Sequence, residues 1–399
     1  MKFIDIKVYE GRVRFILLGG LIKLSLKYNK DNRILKNVFD KKYKKKVLIS
    51  YITGPFQDGL SKTHTNNLEC YTAAEIFDEL GYDVDVIQYT NDIDIEKLNE
   101  YDVVYGFGKA YVKSLTNLNC ISIYYGTGCS PIYQNIQTIG KGREFFRKNN
   151  INCFNMLRYV SNDYTAIGYY SDSIITLGNK FGAETFRIAG KKICINNINA
   201  FYYDTVNIDV KNKDIKNIKK NFLWFGSSGI IHKGLDLVIE VFKRRKDLNL
   251  TICGASKKEL IESGLWKVIS DNTCKNIKYV EWVDIESEQF YDIMNSNIAT
   301  VFPSVSEGGA PAVLNVMANG GLIPIVSRGC SLDIEGIGII LEKTTSECIE
   351  KNIDLLLSKK DCELIKMSEK VKDNTRNIYS YNNYKASLTR IIKNSLKYN

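Results

Sequence analysis

VFPSVSEGGAPAVLNVMANGGLIPIVS, Val301–Ser327, sets two apolar runs around a segment of helical spacing that opens Glu-Gly-Gly-Ala-Pro. Runs such as "ATVF" and "LIPIVS" read as strands buried on both faces of a parallel sheet. Pro311 fits the first turn of the helix between them, where its missing N–H costs nothing. The free backbone N–H groups of that first turn then face the carboxyl edge of the sheet, the edge at which open α/β sheets bind ligands. Gly308 and Gly309 remove the side chains that would hold a ligand off the backbone. Glu307 supplies an acceptor suited to hydroxyl groups rather than to phosphate. A tight strand-to-helix turn with an exposed acid is the plainer reading of the same residues.

The same rhythm extends in both directions. "FLWFGSSG", "LNLTICGAS" and "IKYVEWV" are strands separated by helical patterns, among them "KGLDLVIEVFKRR". Upstream, "VLISYITGPF", "DVDVIQY", "YDVVYGFG", "CISIYYGTG" and "SDSIITLGN" repeat the alternation. A chain of 399 residues is too long for one ordinary core, so two α/β domains are expected. The expected division is a basic extension over 1–46, a first domain over 47–205, a polar lysine-rich connection over 206–220, a second domain over 221–375 and a closing amphipathic helix over 376–399. Two such domains leave a cleft between the carboxyl ends of two sets of strands.

Charge singles out the extension. Residues 1–46 hold 14 Lys and Arg against 4 Asp and Glu, while the remainder holds 41 of each. Its "KFIDIKVYEGRVRFILL" and "LIKLSLKY" alternate with period two, which predicts an antiparallel hairpin or meander; an amphipathic helix over Arg14 to Tyr28 is the alternative. A basic, apolar-interleaved arm on a neutral body fits an anionic membrane surface better than nucleic acid, with a solvated basic tail as the other reading. No apolar run approaches the roughly 18 residues of a membrane span, and Asp5 and Glu10 argue against a signal peptide. The ten cysteines are scattered without a C-x-x-C pair, and there are only two histidines, His64 and His232. Buried thiols in a reducing compartment are expected, and no metal site. The pairs Asp83/Asp85 and Asp92/Asp94 do not sit where a metal-held nucleotide would need them.

The second informative stretch is "FLWFGSSGIIHKGLDLVIEVF", strand, glycine loop and helix, with Lys233 and Gly234 at the helix entry. A lysine there opposes the helix dipole and is easier to understand if it meets an anion. Strand, glycine, Lys-Gly-x-Asp, then Pro-Ser-x-x-Glu-Gly and Met-x-x-Gly-Gly-x-x-Pro together resemble the C-terminal half of retaining glycosyltransferases of the GT-B fold, the large group of sucrose synthase-like and bacterial polysaccharide transferases. "HTNNLECYTAAEIFDELGYDVDVI" and "SDSIITLGNKFGAETF" resemble the acceptor-side domain of bacterial members. The resemblance runs from about Lys46 to the C-terminal helix.

What the resemblance implies is an α/β protein of two Rossmann-like domains facing each other across a cleft, here with an N-terminal β-hairpin extension. It implies a metal-independent transferase with no cofactor, using a nucleotide-sugar donor and a glycan or lipid-linked acceptor in cell-surface polysaccharide assembly. Lys233 would neutralise the diphosphate and Glu307 would bind sugar hydroxyls. Gly226, Ser227, Ser228, Gly234, Gly254, Val283, Gly308, Gly309, Ala310 and Asn315 would complete the donor side. Gly54, Gly59, Tyr125, Gly126 and Thr127 would face the acceptor, and His64, before the first long helix, is a further candidate catalytic group. Two departures stand out: Asn315 replaces a second glutamate, and Ser227 and Ser228 stand where an arginine is common. They keep a non-catalytic nucleotide-sugar or glycan binder as the alternative. The expected setting is the cytoplasm, with the arm as a peripheral contact to the inner face of the cytoplasmic membrane.

Overall fold

The computed structural model describes residues 34–117, 119–165, 167–187 and 194–397, together with the backbone of three N-terminal strands. Those strands, β1 (Ile4–Tyr9), β2 (Arg12–Leu17) and β3 (Ile22–Lys27), form the antiparallel meander that the period-two alternation predicts. Ile4 pairs with Leu17 and Phe15 with Leu24, so alternate apolar positions share register. The helical alternative is not adopted. The membrane role expected of this arm rests on side chains outside the described residues.

Two six-stranded parallel sheets follow. β4 (Lys45–Tyr51), β5 (Tyr82–Gln88), β6 (Val103–Gly106), β7 (Ile121–Gly126), β8 (Ser173–Leu177) and β9 (Cys194–Ile198) lie in the order β5-β4-β6-β7-β8-β9. β10 (Asn221–Phe225), β11 (Asn249–Cys253), β12 (Ile277–Val280), β13 (Ala299–Phe302), β14 (Ile323–Ser327) and β15 (Ile339–Leu341) lie in the order β12-β11-β10-β13-β14-β15. Continuous apolar runs make these strands, because helices cover both faces of each sheet: Val47, Leu48 and Ile49 are all buried, as are Phe222, Leu223 and Trp224. The fold is thus two Rossmann-like α/β domains.

Residues 206–220, expected as the connection, are packed instead. Ile208, Val210, Ile215 and Ile218 are buried, and the segment lies against the helix Asp361–Ile378 of the second domain. The helix Tyr381–Ser395 crosses back to the first domain. There the Tyr384 and Tyr125 hydroxyls lie 3.0 Å apart, and Ser395 Oγ donates to Ser173 Oγ.

What fixes the two domains relative to each other is an apposition of glycines. A Cβ on Gly308 would lie 2.1 Å from the Thr127 carbonyl oxygen, and one on Gly309 (φ +71°) would lie 2.9 Å from Ala200 Cβ. Gly128 and Gly178 oppose them from the first domain. Around this contact, Thr138 Oγ1 meets His232 Nδ1 at 2.9 Å, Lys141 pairs with Asp236 at 2.7 Å and Asn179 donates to Asp333 at 2.9 Å.

A methyl group at 308 has backbone as its obstacle, so the domains must part to admit it. Gly308→Ala is expected to lower the melting temperature and raise the radius of gyration in small-angle scattering. Gly140→Ala, in the open on the helix Pro131–Asn149, should instead gain about 0.5–1 kcal/mol from helix propensity.

Candidate functional site

Strands β4–β8 and β10–β13 end at the groove between the domains. Ile52, Tyr89, Phe107, Thr127 and Leu177 line it from the first domain. Gly226, Gly254, Val283 and Phe302 line it from the second. The enclosed volume is about 840 Å³, within the range of small-molecule pockets.

The two loops read from the sequence converge here. Gly234 (φ +70°) caps the helix Leu235–Arg244 in the left-handed region, and its Cβ-less side lies against the Pro303 carbonyl. That turn points Lys233 back into the cavity, where its Nζ donates to Ser227 Oγ at 3.1 Å. Burial pushes the Lys233 pKa down to about 8, against the pull of Glu307. Ala310 (φ 39°, ψ 65°), an uncommon conformation for a residue with a Cβ, begins the helix Pro311–Gly320, and no side chain caps that helix. Pro311 has no N–H, and Val313 and Leu314 donate to the Ala310 carbonyl, so among the described residues the N–H groups of Ala310 and Ala312 remain available at the cavity wall.

Glu307 sits among cations. Its Oε1 accepts from Ser304 Oγ at 2.8 Å and its Oε2 lies 3.1 Å from Arg158 Nη1. Burial would raise its pKa, but Arg158 and Lys233 outweigh that effect and hold it below the ordinary carboxylate value.

Of the candidate residues, Lys233, Glu307, His64, Gly226, Ser227, Ser228, Gly254, Val283, Gly308, Ala310, Asn315 and Thr127 line this one cavity. Gly234 and Gly309 stand behind it as turn and interface glycines, and Gly54, Gly59 and Gly126 do not line it either. Tyr125 lies deeper in the first domain. Its hydroxyl donates to Glu69 Oε2 at 3.1 Å, which also accepts from Tyr51 at 2.9 Å. Asn315 spends its carbonyl oxygen on Tyr203 N–H at 2.8 Å, so that oxygen already has a protein donor. The Gly308 and Gly309 faces without a side chain are occupied by first-domain backbone and Ala200, a use the sequence reading did not anticipate.

His64 caps the helix Thr65–Glu79: Nδ1 accepts from Asn66 N–H at 3.1 Å. With Nδ1 so engaged, the neutral ring carries its proton on Nε2 and offers a donor, not a base. Burial lowers its pKa. His232 is fully buried, with Nε2 2.7 Å from the Ser306 carbonyl oxygen, and braces the Lys233 loop against the first domain. Asp85 accepts from Asn37 N–H and Tyr101 Oη, and Asp92 pairs with Lys113; neither lines the cleft. Among the described residues no group of three His, Cys, Asp or Glu is placed to hold a metal.

Among the cavity residues without a counterpart in the sequence analysis, three stand out. Arg158 follows a helix without any motif, Glu69 looks like one more acid on an amphipathic helix, and Trp282 stands 60% exposed at the cavity wall. Only the tertiary fold brings them there. An exposed tryptophan directly after a strand was the one available signal.

Residues 208–378 match the family of glycosyl transferases group 1. That match covers the second domain and its helix Asp361–Ile378. No curated protein sequence matches the chain. Among solved structures, a sucrose-phosphate synthase from Thermosynechococcus elongatus is similar over 88% of this chain and 99% of its own, with TM-score 0.61 and 13% identity. HepE from Anabaena, solved in complex with UDP-glucose, is similar over 89% of this chain and 100% of its own, with TM-score 0.54 and 11% identity. TarM from S. aureus is similar over 99% of this chain and 80% of its own, with TM-score 0.51 and 12% identity. At these identities the likeness is one of fold, the GT-B arrangement of two domains. With TarM it extends over nearly the whole chain.

The burial of His232 has a measurable consequence. Its folded pKa, pushed down to about 4 by burial, lies below the ordinary 6.5. The unfolded chain then binds the extra proton more readily between those values, so stability falls as pH falls from 6.5 towards 4. The loss is expected to be on the order of 3 kcal/mol, with the lowered His64 adding to the same trend. His232→Gln should flatten it, read by urea denaturation at pH 7, 5.5 and 4.5.

Proposed function

We propose that this protein transfers a glycosyl group, with retention, from a nucleoside diphosphate donor to a hydroxyl of a glycan or lipid-linked glycan, without a metal. The observation that carries the reading is one cavity combining the Lys233 ammonium, the Glu307 carboxylate and an uncapped helix terminus at the carboxyl edges of two parallel sheets. The family match over residues 208–378 and the UDP-glucose bound to the HepE fold support a nucleotide-sugar donor.

The demanding event is cleavage of the bond between the anomeric carbon and the diphosphate oxygen, because negative charge grows on that oxygen. Lys233 and the N–H groups of Ala310 and Ala312 lie on the side where a diphosphate would meet them, and Glu307 is an acceptor for sugar hydroxyls. Among the described residues, two of the candidate bases that line the cavity are already engaged. His64 has Nδ1 occupied, and Glu69 is held by the hydroxyls of Tyr51 and Tyr125. In this reading the acceptor's proton goes to the departing phosphate oxygen as the new C–O bond forms on the same face of the sugar. Atoms and charge balance without a third group, and the configuration at the anomeric carbon is kept.

Lys233→Ala is expected to lower kcat about 10²- to 10³-fold, the cost of removing one preorganised donor to a developing oxyanion. Glu307→Ala should fall comparably. The assay begins with UDP-glucose and extends to guanosine and adenosine diphosphate sugars, with the product's anomeric configuration read by NMR. Near-normal turnover in both variants removes the mechanism. Tight donor binding without turnover in the wild type favours a non-catalytic binder, for which Asn315 in place of an acid is the motivating residue.

The charge surplus of residues 1–46 supports peripheral attachment to an anionic membrane, with the domains on its cytoplasmic side. No described helix is long and apolar enough to cross a membrane. Co-sedimentation with vesicles containing anionic lipid should fall when residues 1–45 are removed and when salt is raised.

A further inference from the structure

A diphosphate carries charge on both phosphates, and the glycine loop of this cleft offers one cation for it. Lys233 is that cation, and burial weakens its hold on the proton. Ser227 and Ser228, beside it in the turn after β10, are neutral. Lys62, also in the cavity wall, is paired with Glu286 at 2.6 Å. Among the described residues the remaining cation in the cavity wall is Arg158, and it comes from the opposite domain.

Its path explains a glycine. Gly229 (φ +84°) closes the Ser227-Ser228 turn, and a Cβ there would lie 2.9 Å from Arg158 Cγ and 3.0 Å from Cδ. The arginine stem thus crosses the domain boundary over Gly229 and brings the guanidinium to the Lys233 side of the cavity. There one N–H meets Glu307 at 3.1 Å, while the Arg158 side chain remains 48% exposed. A guanidinium has five N–H donors in a planar fork that matches two phosphate oxygens. Among the described residues the guanidinium makes no other hydrogen bond.

We infer that Arg158 is the second diphosphate-binding cation of this cleft, supplied across the domain boundary, and that donor binding moves it from Glu307 to the phosphates. The inference rests on reading the cleft as a nucleotide-sugar site. The exchange keeps every charge compensated. Hydroxyls of the donor sugar donate to Glu307 as Arg158 leaves it, and the guanidinium gains phosphate oxygens, so no buried charge is left alone. Lys233 from one domain and Arg158 from the other then hold the diphosphate between them.

A sign reversal follows from the competition. A nucleoside diphosphate without sugar must take Arg158 from Glu307 and offers Glu307 nothing in return. Removing the carboxylate should therefore tighten binding of the free diphosphate while weakening binding of the sugar nucleotide.

Calorimetric titration of UDP, UMP, uridine and UDP-glucose against the intact chain tests this, with the guanosine and adenosine series substituted if they bind better. Arg158→Ala is expected to weaken the diphosphate about 10- to 100-fold, the loss of one charge-assisted pair, and to leave the nucleoside unchanged. Arg158→Lys should recover part of the loss, and Ser227→Arg added to Arg158→Ala should recover most of it. Glu307→Gln should tighten UDP and weaken UDP-glucose, and the tightening should vanish in Glu307→Gln/Arg158→Ala. An unchanged diphosphate affinity in Arg158→Ala overturns the inference, as does an equal loss for diphosphate and nucleoside. A wild-type chain that binds none of the nucleoside diphosphates overturns the reading of the cleft itself.

Discussion

The close approach of two glycine turns is the constraint on which the site depends. Gly308 and Gly309 meet Thr127, Gly128, Gly178 and Ala200 of the first domain with no side chain between them. Only at that separation can His232 reach Thr138, Lys141 reach Asp236 and Arg158 reach Glu307. Because the turn that bears Glu307 is also the turn that touches the other domain, cavity width and carboxylate position are set by one contact. A substitution there acts on binding and on domain arrangement together.

The second feature of the site is its concentration of buried charge. Lys233 and Glu307 are each less than one-tenth exposed, a placement that costs free energy unless the charges compensate one another. The lowered pKa of Lys233 and the net lowering at Glu307 describe the compromise. The lysine is held less firmly in its charged form, and the acid more firmly, than either would be in water. A ligand bearing two negative phosphates and several hydroxyls satisfies both groups better than they satisfy each other. The left-handed Ala310 adds backbone strain at the same place, and such strain persists where surrounding structure fixes it.

Much of this was legible in the sequence, for identifiable reasons. Runs such as "VLISY" and "IATVF" announce buried parallel strands because only the small hydroxyls of Ser50 and Thr300 interrupt them, and glycines after them mark the carboxyl edge where the cleft opens. Lys233 and Glu307 follow from that placement. The basic arm was legible as strands because period two survives its lysines. The polar stretch 206–220 misled for a physical reason. Lys211, Lys216 and Lys220 lie outward while Ile208, Val210, Ile215 and Ile218 face inward, and even Lys213 is buried with its ammonium on the Met294 and Asn297 carbonyls; composition averages over that distinction. Gly308 and Gly309 were correctly marked as places needing no Cβ, but sequence spacing cannot say whether a ligand or another backbone fills the room. Arg158 was silent, since one arginine in "NMLRYV" has no periodicity or motif around it.

The C-terminal helix shows how the cavity floor and the chain's end become one structure. Glu69 is buried, and its carboxylate is satisfied by Tyr51 and Tyr125. Burial raises the pKa of both phenols, so they stay protonated as donors. Tyr125 in turn meets Tyr384, carried on a helix that returns from the second domain. Thr72 and Tyr381 repeat the link one turn away, and Lys385 reaches Glu75. The return helix therefore does more than shield the first sheet. It closes a hydrogen-bond chain that fixes Glu69 beneath the cavity, and it ties the two domains at a second point remote from the glycine contact. Two attachments restrain the domains more than either contact would alone, and both are needed to hold Lys233 and Arg158 on facing sides of one cavity.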